Sequence, residues 1–560
     1  MRQSSRNRRW QRTSFGVGLL LLAAAPIFAA TVTVTSTADN GPGSLRTAIA
    51  SAATGDTIDF SLAYPATITL STPLTLNSSV TITGPGASNL SISAGFSVGV
   101  LVVQAETNVQ ISGVTITQGG SGLGGCIFNA GTLTLTNTTV TNCRNFAELG
   151  GAILNAGTGA ILNLASSTVT GNFAGAECLQ SSFGAGGGIF NYLGTVNLTN
   201  STVSENLTFG GPGAGGNCFA GGQQQTGWGG GGGGILNFDG TLAVSTSTVV
   251  GNSSSFGGGI LNISGATLTV VNSTIALNTA GAAGGGIDTS SDSTALISDS
   301  TIWNNGAGNA SGLSIVALNL PTGGGGGGSC CIFLAISDSG GGGILYGGNA
   351  LSVKNSILSA NSTNCETPYG EPFNSLGFNI SDDATCGGAL IQTSDLNNTP
   401  AGLDPAGLRN NGGPTQTVAL QATSPAVNAI PPSACTDASG TPVTTDQRGV
   451  PRPQGGGCDI GAFEYFHSLY QIPAVQTFGL IEAVKASTLP PAVTEVLTVP
   501  LQAAVNSLNR GNIPASVAQL EVFVILVDVA KLARELSQQQ AAVWTTSAAA
   551  IIQSLRSGAP

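Results

Sequence analysis

Hydrophobic and polar residues alternate in short bursts along most of this chain, as in Thr132-Leu-Thr-Leu-Thr136, Thr195-Val-Asn-Leu-Thr199 and Thr267-Leu-Thr-Val-Val271. A period of two sends Leu and Val to one side of a strand and Thr or Asn to the other. The bursts are punctuated by a recurring turn, Gly-Gly-x-Ile-x-Asn, read at Gly125 to Asn129, Gly151 to Asn155, Gly187 to Asn191, Gly233 to Asn237 and Gly258 to Asn262. Degenerate copies follow at Gly285 to Thr289 and Gly342 to Tyr346. From Ile127 to Ile153 is 26 residues, from Ile235 to Ile260 is 25, and from Ile260 to Ile287 is 27. One such unit cannot bury its own apolar side, so the units must stack. The prediction is an all-β shaft, a right-handed single-stranded parallel β-helix with three short strands and three turns per coil.

Stacking places like residues on like. Asn155, Asn191, Asn237 and Asn262 are expected to form an amide ladder along the axis, because neighbouring strands lie about 4.8 Å apart. The glycines ahead of each Ile supply positive φ and close backbone approach at the corner. Ser44 is expected to cap a short helix whose Leu45, Ala48, Ile49 and Ala52 cover the open first coil. Two coils are interrupted, from Leu207 to Gly234 and from Gly306 to Gly343, and long excursions from a rigid shaft are where binding specificity usually sits. The first carries Phe219, Gln223 and Trp228, a set that either stacks on a sugar ring or packs on itself. From Val475 the period becomes helical, with helices expected over 478–486, 500–509, 514–537 and 541–555.

Only 8% of the 560 residues are charged, and the formal net charge is −11; roughly 25% charged is ordinary for a soluble domain. That balance argues against a phosphate-tracking nucleic-acid surface. Residues 1–29 read as a signal peptide: Arg2, Arg6, Arg8, Arg9 and Arg12, then an apolar stretch from Gly16 to Phe28 before Ala29 and Ala30. The mature chain is therefore expected to be secreted or displayed on a bacterial surface. No transmembrane span is expected in it, since the run from Val522 to Val527 is far short of the ~20 residues a span needs. In that compartment the 10 Cys favour disulfides over metal or thiol chemistry. The expected pairs are Cys126 with Cys143, Cys178 with Cys218, Cys365 with Cys386 and Cys435 with Cys458; Cys330 and Cys331 stay unassigned.

Between Thr47 and Leu408 the only basic residues are Arg144 and Lys354, and the single His, His467, lies beyond the shaft. A His-based acid or metal cluster is thereby excluded. Glycoside hydrolysis needs only two carboxylates about 5–9.5 Å apart, and Asp288, Asp299, Asp382 and Asp383 are the candidates. For Asp288 and Asp299 the simpler reading is substitution within the repeat, near the slots that Asn holds. No cofactor is implied, with a Ca²⁺ site of clustered Asp and backbone carbonyls as the alternative.

The repeated turn with Asn-Ser-Thr-Val/Ile resembles right-handed parallel β-helix surface proteins. More loosely it is similar to polymorphic outer membrane protein repeats, whose Gly-Gly-Ala-Ile is matched once, at Gly151-Gly-Ala-Ile153, without their Phe-x-x-Asn partner. Further on, Leu408-Arg-Asn-Asn-Gly-Gly-Pro-Thr-Gln-Thr-Val-Ala-Leu420, Thr445-Asp-Gln-Arg-Gly-Val-Pro-Arg-Pro453 and Cys458-Asp-Ile-Gly-Ala-Phe-Glu-Tyr465 resemble the choice-of-anchor Q domain. The resemblance implies display before a sorting or anchoring signal. Its Asp446, Arg448, Arg452, Asp459 and Glu464 look like an active site but read better as a buried salt-bridged cap on the last coil. The stretch from Leu501 to Asn512, with Ala518 to Phe523, is similar to the helical FIMAH domain of secreted bacterial proteins. The expected organisation is a signal peptide (1–29), a parallel β-helix with an N-terminal cap helix (30–406), a choice-of-anchor-Q-like cap segment (407–466) and a helical domain (467–560). Function is read as an adhesin-like or structural module presenting loops to polysaccharide or other cell-surface components, without catalysis. The alternative is a carboxylate-based polysaccharide hydrolase or lyase.

Overall fold

The computed structural model describes residues 29–557 except 121, 147–148, 176–183, 210–217, 221–222, 226–229, 291, 309–313, 321–329, 337–341, 348–349, 367–372, 466–470, 488 and 509–511. The signal-peptide reading and Trp228 thus fall outside the described residues. The shaft is a right-handed parallel β-helix followed by a small helical region. One coil shows how it is made. Ile127–Asn129, Thr132–Thr136, Thr139–Thr141 and Arg144–Asn145 are successive strands. Each pairs in parallel with its equivalent one coil on: Ile127 with Ile153, Leu133 with Leu162, Val140 with Val169, Arg144 with Phe173.

The four strands build four faces, here called the Asn sheet, the long sheet, the Thr sheet and the short sheet. The first three contain 10, 12 and 11 strands and run most of the shaft, whereas the short sheet has 6 and spans only its middle. Three strands per coil therefore holds at the ends, and a fourth is added from Arg144–Asn145 to Gly306–Ala307. Inside the coil Ile127, Leu133, Leu135 and Val140, and their equivalents in the next coils, are fully buried; each contributes about 1.5–3 kcal/mol by leaving water. The Asn sheet is apolar on both sides. Its outward Leu154, Phe190, Leu236, Leu261 and Leu345 are buried as well, under a second layer that includes Leu149, Ala185, Phe256, Ala282 and Ala283.

The amide ladder forms. Asn129 donates to Asn155, Asn155 to Asn191, Asn191 to Asn237 and Asn237 to Asn262, at 2.7, 2.7, 2.7 and 2.8 Å. A second ladder, at the corner before the short sheet, links Asn172, Asn206, Asn252, Asn278, Asn305 and Asn361 at 2.9 to 3.0 Å. Here each Asn carbonyl also accepts a backbone N–H, as Asn206 does from Asn172. Both ladders satisfy amides that water cannot reach.

The paired glycines of the turn have different duties. Gly150, Gly186 and Gly232 adopt φ of +70°, +60° and +67°, a region costly for other residues. Their successors Gly151 and Gly187 stand where a Cβ would lie 2.0 and 2.4 Å from the carbonyl oxygen of the next coil's glycine. Gly187→Ala is expected to cost about 1–3 kcal/mol, as overpacking against backbone does; a guanidinium unfolding midpoint equal to wild type would contradict this.

At the N-terminal end, Ser44 caps helix α1 (Leu45–Ser51) by accepting from Thr47 N–H, and Leu45 and Ala48 cover the first coil. At the other end Phe373, Cys386, Ala389 and Leu390 close the same core. Disulfides join Cys126 to Cys143, Cys365 to Cys386 and Cys435 to Cys458. Cys178 lies outside the described residues, so its pairing with Cys218 is not among them.

The segment after the shaft is placed differently from the sequence reading. It does not cap the last coil; it returns along the flank and covers the Thr sheet. Thr248 Oγ1 donates to the Gln416 carbonyl (2.8 Å), Thr274 Oγ1 to Gln447 Oε1 (2.6 Å), and Ala462 N–H to Thr301 Oγ1 (3.1 Å). Ile357 and Ile380 pack beneath Leu420, Ile430, Ile460 and Phe463. The physical reason lies in the outward residues of the Thr sheet. These carry Ile357 and buried Thr in the later coils, a surface that needs a cover.

Helices α2 (Gln471–Lys485), α3 (Pro491–Leu508), α4 (Ile513–Leu532) and α5 (Gln538–Ser557) follow. Their core holds Leu501, Leu520, Phe523, Val527, Trp544 and Ile551. Helix α3 begins nine residues before the expected start and carries Pro500 inside it. Helix α4, at 20 residues and mean hydropathy 1.8, is long and apolar enough to cross a membrane by length and composition. That is more than the short run at Val522 to Val527 implied.

Candidate functional site

The carboxylates singled out for catalysis do not converge. Asp288 lies in strand Ile287–Ser290, where it pairs with Leu261 on one side and Leu345 on the other. It is fully buried in the outward apolar row of the Asn sheet. The Asn slot itself passes from Asn262 to Thr289. Asp299 does replace an Asn: Asn272, Asp299 and Asn355 occupy one corner at φ of +52°, +50° and +50°. Asp and Asn tolerate that left-handed conformation better than most residues. Asp299 is 1% exposed and accepts from Asn355 Nδ2 at 3.1 Å.

Asp382 and Asp383 are caps for the last coil. Asp382 accepts from Ser359 Oγ (2.7 Å), Ala360 N–H (2.8 Å) and Asn364 Nδ2 (2.8 Å). Asp383 accepts from Asn364 N–H (2.9 Å), Thr385 N–H (3.0 Å) and Thr385 Oγ1 (2.6 Å). Although burial opposes it, these donors together hold the Asp383 carboxyl below its ordinary value. Among the described residues no group of three or more His, Cys, Asp or Glu gathers as a metal site.

The choice-of-anchor-Q-like cluster is buried and ion-paired. Arg448 Nε donates to Asp446 Oδ2 (2.8 Å) and its terminal nitrogen to the Glu464 carbonyl (2.6 Å), while the guanidinium lies 3.4 Å from the centre of the Phe463 ring. Arg452 donates to the Asp459 and Gly461 carbonyls (2.6 and 2.5 Å) and to Glu464 Oε2 (3.2 Å). Arg448, Asp446 and Glu464 are at most 1% exposed. A substrate has no approach to them.

Burial raises the Glu464 carboxyl to about 7 and that of Asp299 to about 6, against the pull of Arg452 on both. The native state thus holds protons that the unfolded chain has released above its ordinary values of 4.5 and 3.8. Stability is full below those values and falls as pH rises through the folded ones. Urea unfolding should show a loss of about 1–3 kcal/mol between pH 4.5 and pH 8. Glu464→Gln should flatten the upper part of that slope; a slope unchanged in the variant would assign it elsewhere.

Of the binding residues expected in the first long insertion, Phe219 and Gln223 fall on a two-stranded antiparallel ribbon, Cys218–Ala220 with Gln223–Gln225. The second insertion forms a longer ribbon, Ser314–Leu320 with Cys330–Ile336.

An open cleft of about 370 Å³ lies on the short sheet, lined by Asn142, Arg144, Phe146, Gly171, Asn172, Phe173, Glu205 and Leu207. Arg144, Phe173 and Leu207 are in register on successive strands. The Arg144 guanidinium rests 4.7 Å from the centre of the Phe96 ring, and Phe146 meets Phe173 at 5.7 Å. The signal in the sequence was the isolation of Arg144 as one of two basic residues in the shaft. The other, Lys354, is occupied by Thr436 Oγ1 (2.5 Å) and the Asp437 carbonyl (3.2 Å).

The fold and the three disulfides among the described residues define the class: a parallel β-helix braced by cross-links of the kind an oxidising compartment permits. No family model and no curated protein matches the chain. Among solved structures it is similar to the PL6 family alginate lyase AlyGC at 12% identity and TM-score 0.25, covering 69% of this chain and 55% of that one. A point mutant of the same lyase gives 11%, 0.26, 70% and 56%. The chain spans a little over half the length of these lyases, and so distant a likeness carries no argument about chemistry.

Proposed function

We propose that this chain is a secreted, non-catalytic β-helical module that contacts polysaccharide through its surface. The observation supporting this reading is the fate of the four candidate carboxylates. Asp288 and Asp299 are buried, and Asp382 and Asp383 are occupied by backbone and side-chain donors. The open part of the Thr sheet is uncharged and regular. On the Thr sheet, Thr115 and Thr117, Thr139 and Thr141, Thr168 and Thr170, and Thr202 and Ser204 stand in register. Rows of hydroxyls about 4.8 Å apart suit hydrogen bonding to an extended sugar chain. The test is a polysaccharide panel scored both for retention and for new reducing or unsaturated ends. Retention without new ends is expected; cleavage lost in Asp382→Asn or Asp288→Asn would replace this reading by the enzymatic one.

A further inference from the structure

The geometry points to the short-sheet cleft as a binding site for neutral sugar rings, an assignment that rests on the polysaccharide-contact reading and gives it a place. Four observations converge on it. First, Arg144 and Glu205 are both exposed, and neither side chain enters an ion pair or hydrogen bond among the described residues. The other basic residues of the shaft and its cap helix, Lys354 and Arg46, are engaged, so among the described residues Arg144 stands apart.

Second, Phe146 is 44% exposed and leans on Phe173, so two rings present an apolar wall to solvent. An exposed Phe adds little to the fold but offers a ligand contact area that is already ordered. Third, the corner column before the short sheet takes Asn142, Gly171, Glu205 and Gly251 in successive coils, at φ of +55°, +63°, +54° and +64°. Gly171 leaves a gap between Asn142 and Glu205, where a Cβ would meet nothing nearer than Thr141 Oγ1 at 3.8 Å. The corner imposes this left-handed conformation on the whole column, Leu277 and Ala360 included at φ of +56° and +57°, so the fold itself holds Glu205 at the edge of the gap. Fourth, Gly175 has no side chain because a Cβ there would lie 2.5 Å from Phe173 Cζ. The ring therefore lies across the strand and forms part of the wall.

The chemistry selects the ligand. A guanidinium offers two parallel N–H donors and a carboxylate two acceptors, each matching a pair of adjacent hydroxyls. The rings take the C–H face of the sugar. One cation and one anion leave the cleft without net charge, and a chain at −11 repels a polyanion. The assignment is therefore a neutral hexose polymer and not a uronate.

Native gels cast with a neutral glucan, mannan or galactan, or with polygalacturonate, test it on the full secreted chain. Retardation in at least one neutral gel is expected, with Arg144→Met and Phe146→Ala each weakening it about tenfold and Asn197→Ala, on the long sheet, leaving it unchanged. Unfolding midpoints equal to wild type show that the variants are folded. Retardation that survives both Arg144→Met and Phe146→Ala would move binding off the cleft and overturn this assignment while leaving the broader reading intact. Stronger retardation by polygalacturonate would overturn the neutral ligand. No retardation in any gel would remove both.

Discussion

Arg448→Ala is expected to destabilise the protein by about 3–5 kcal/mol, the cost of leaving a buried charge without its partner. Asp446 is fully buried and would keep only its backbone donors, from Arg448, Val450 and Glu464 at 2.8, 2.9 and 2.9 Å. The Glu464 carbonyl would lose its guanidinium donor, and the space over the Phe463 ring would empty. The comparison is Lys485→Ala: Lys485 pairs with Glu482 at 2.9 Å with 56% of its side chain exposed. That change should cost no more than about 1 kcal/mol. Urea unfolding of the two variants measures the difference, and equal midpoints would mean that the buried network does not hold the returning segment in place.

Asn237→Leu is expected to cost about 3–4 kcal/mol despite near-equal volume. Its amide donates to Asn262 Oδ1, the Gly240 carbonyl and the Thr267 carbonyl at 2.8, 3.2 and 3.1 Å, and its carbonyl accepts from Asn191 at 2.7 Å. Removing it strips partners from buried groups in three coils at once. The same change at Asn129, the first member, removes its donations to Asn155 and the Ile161 carbonyl. It should cost about half as much, in keeping with about 1 kcal/mol per net hydrogen bond. The native chain shows that an end is tolerant, since Thr289 follows Asn262 in the slot. Equal losses at the two positions would show that the cost does not follow the number of bonds each member makes.

The coil was legible because its causes are local. Alternation set the inward residues, the Ile spacing set the coil length, and Asn at a fixed offset from Ile set the ladder. The fourth strand was not legible: Arg144–Asn145 and Phe173–Gly175 are too short to show a period. Asp288 was read as near the Asn slot, and one residue along a strand exchanges one face for the other. It stands in the outward row with Leu261, whereas Thr289 has the Asn slot. The lateral path of the 407–466 segment had no local signature. Its bonds join residues such as Ser247 and Gln447, 200 positions apart, and local pattern carries nothing over that distance. The cleft was hidden for a related reason: Arg144, Phe173 and Glu205 come from three coils and become neighbours only through stacking.

A stack of coils normally frays from its ends, each coil held only by those beside it. The returning segment changes that rule for half the shaft. It is bonded to the coils at Thr246, Thr274, Thr301 and Asn355, so these coils share a splint and must open together or not at all. Among the described residues the coils from Thr67 to Ser204 have no such bonds to the splint. Amide hydrogen exchange should therefore divide the molecule into a graded N-terminal half, with protection falling toward the tip, and a distal half that exchanges as one cooperative block.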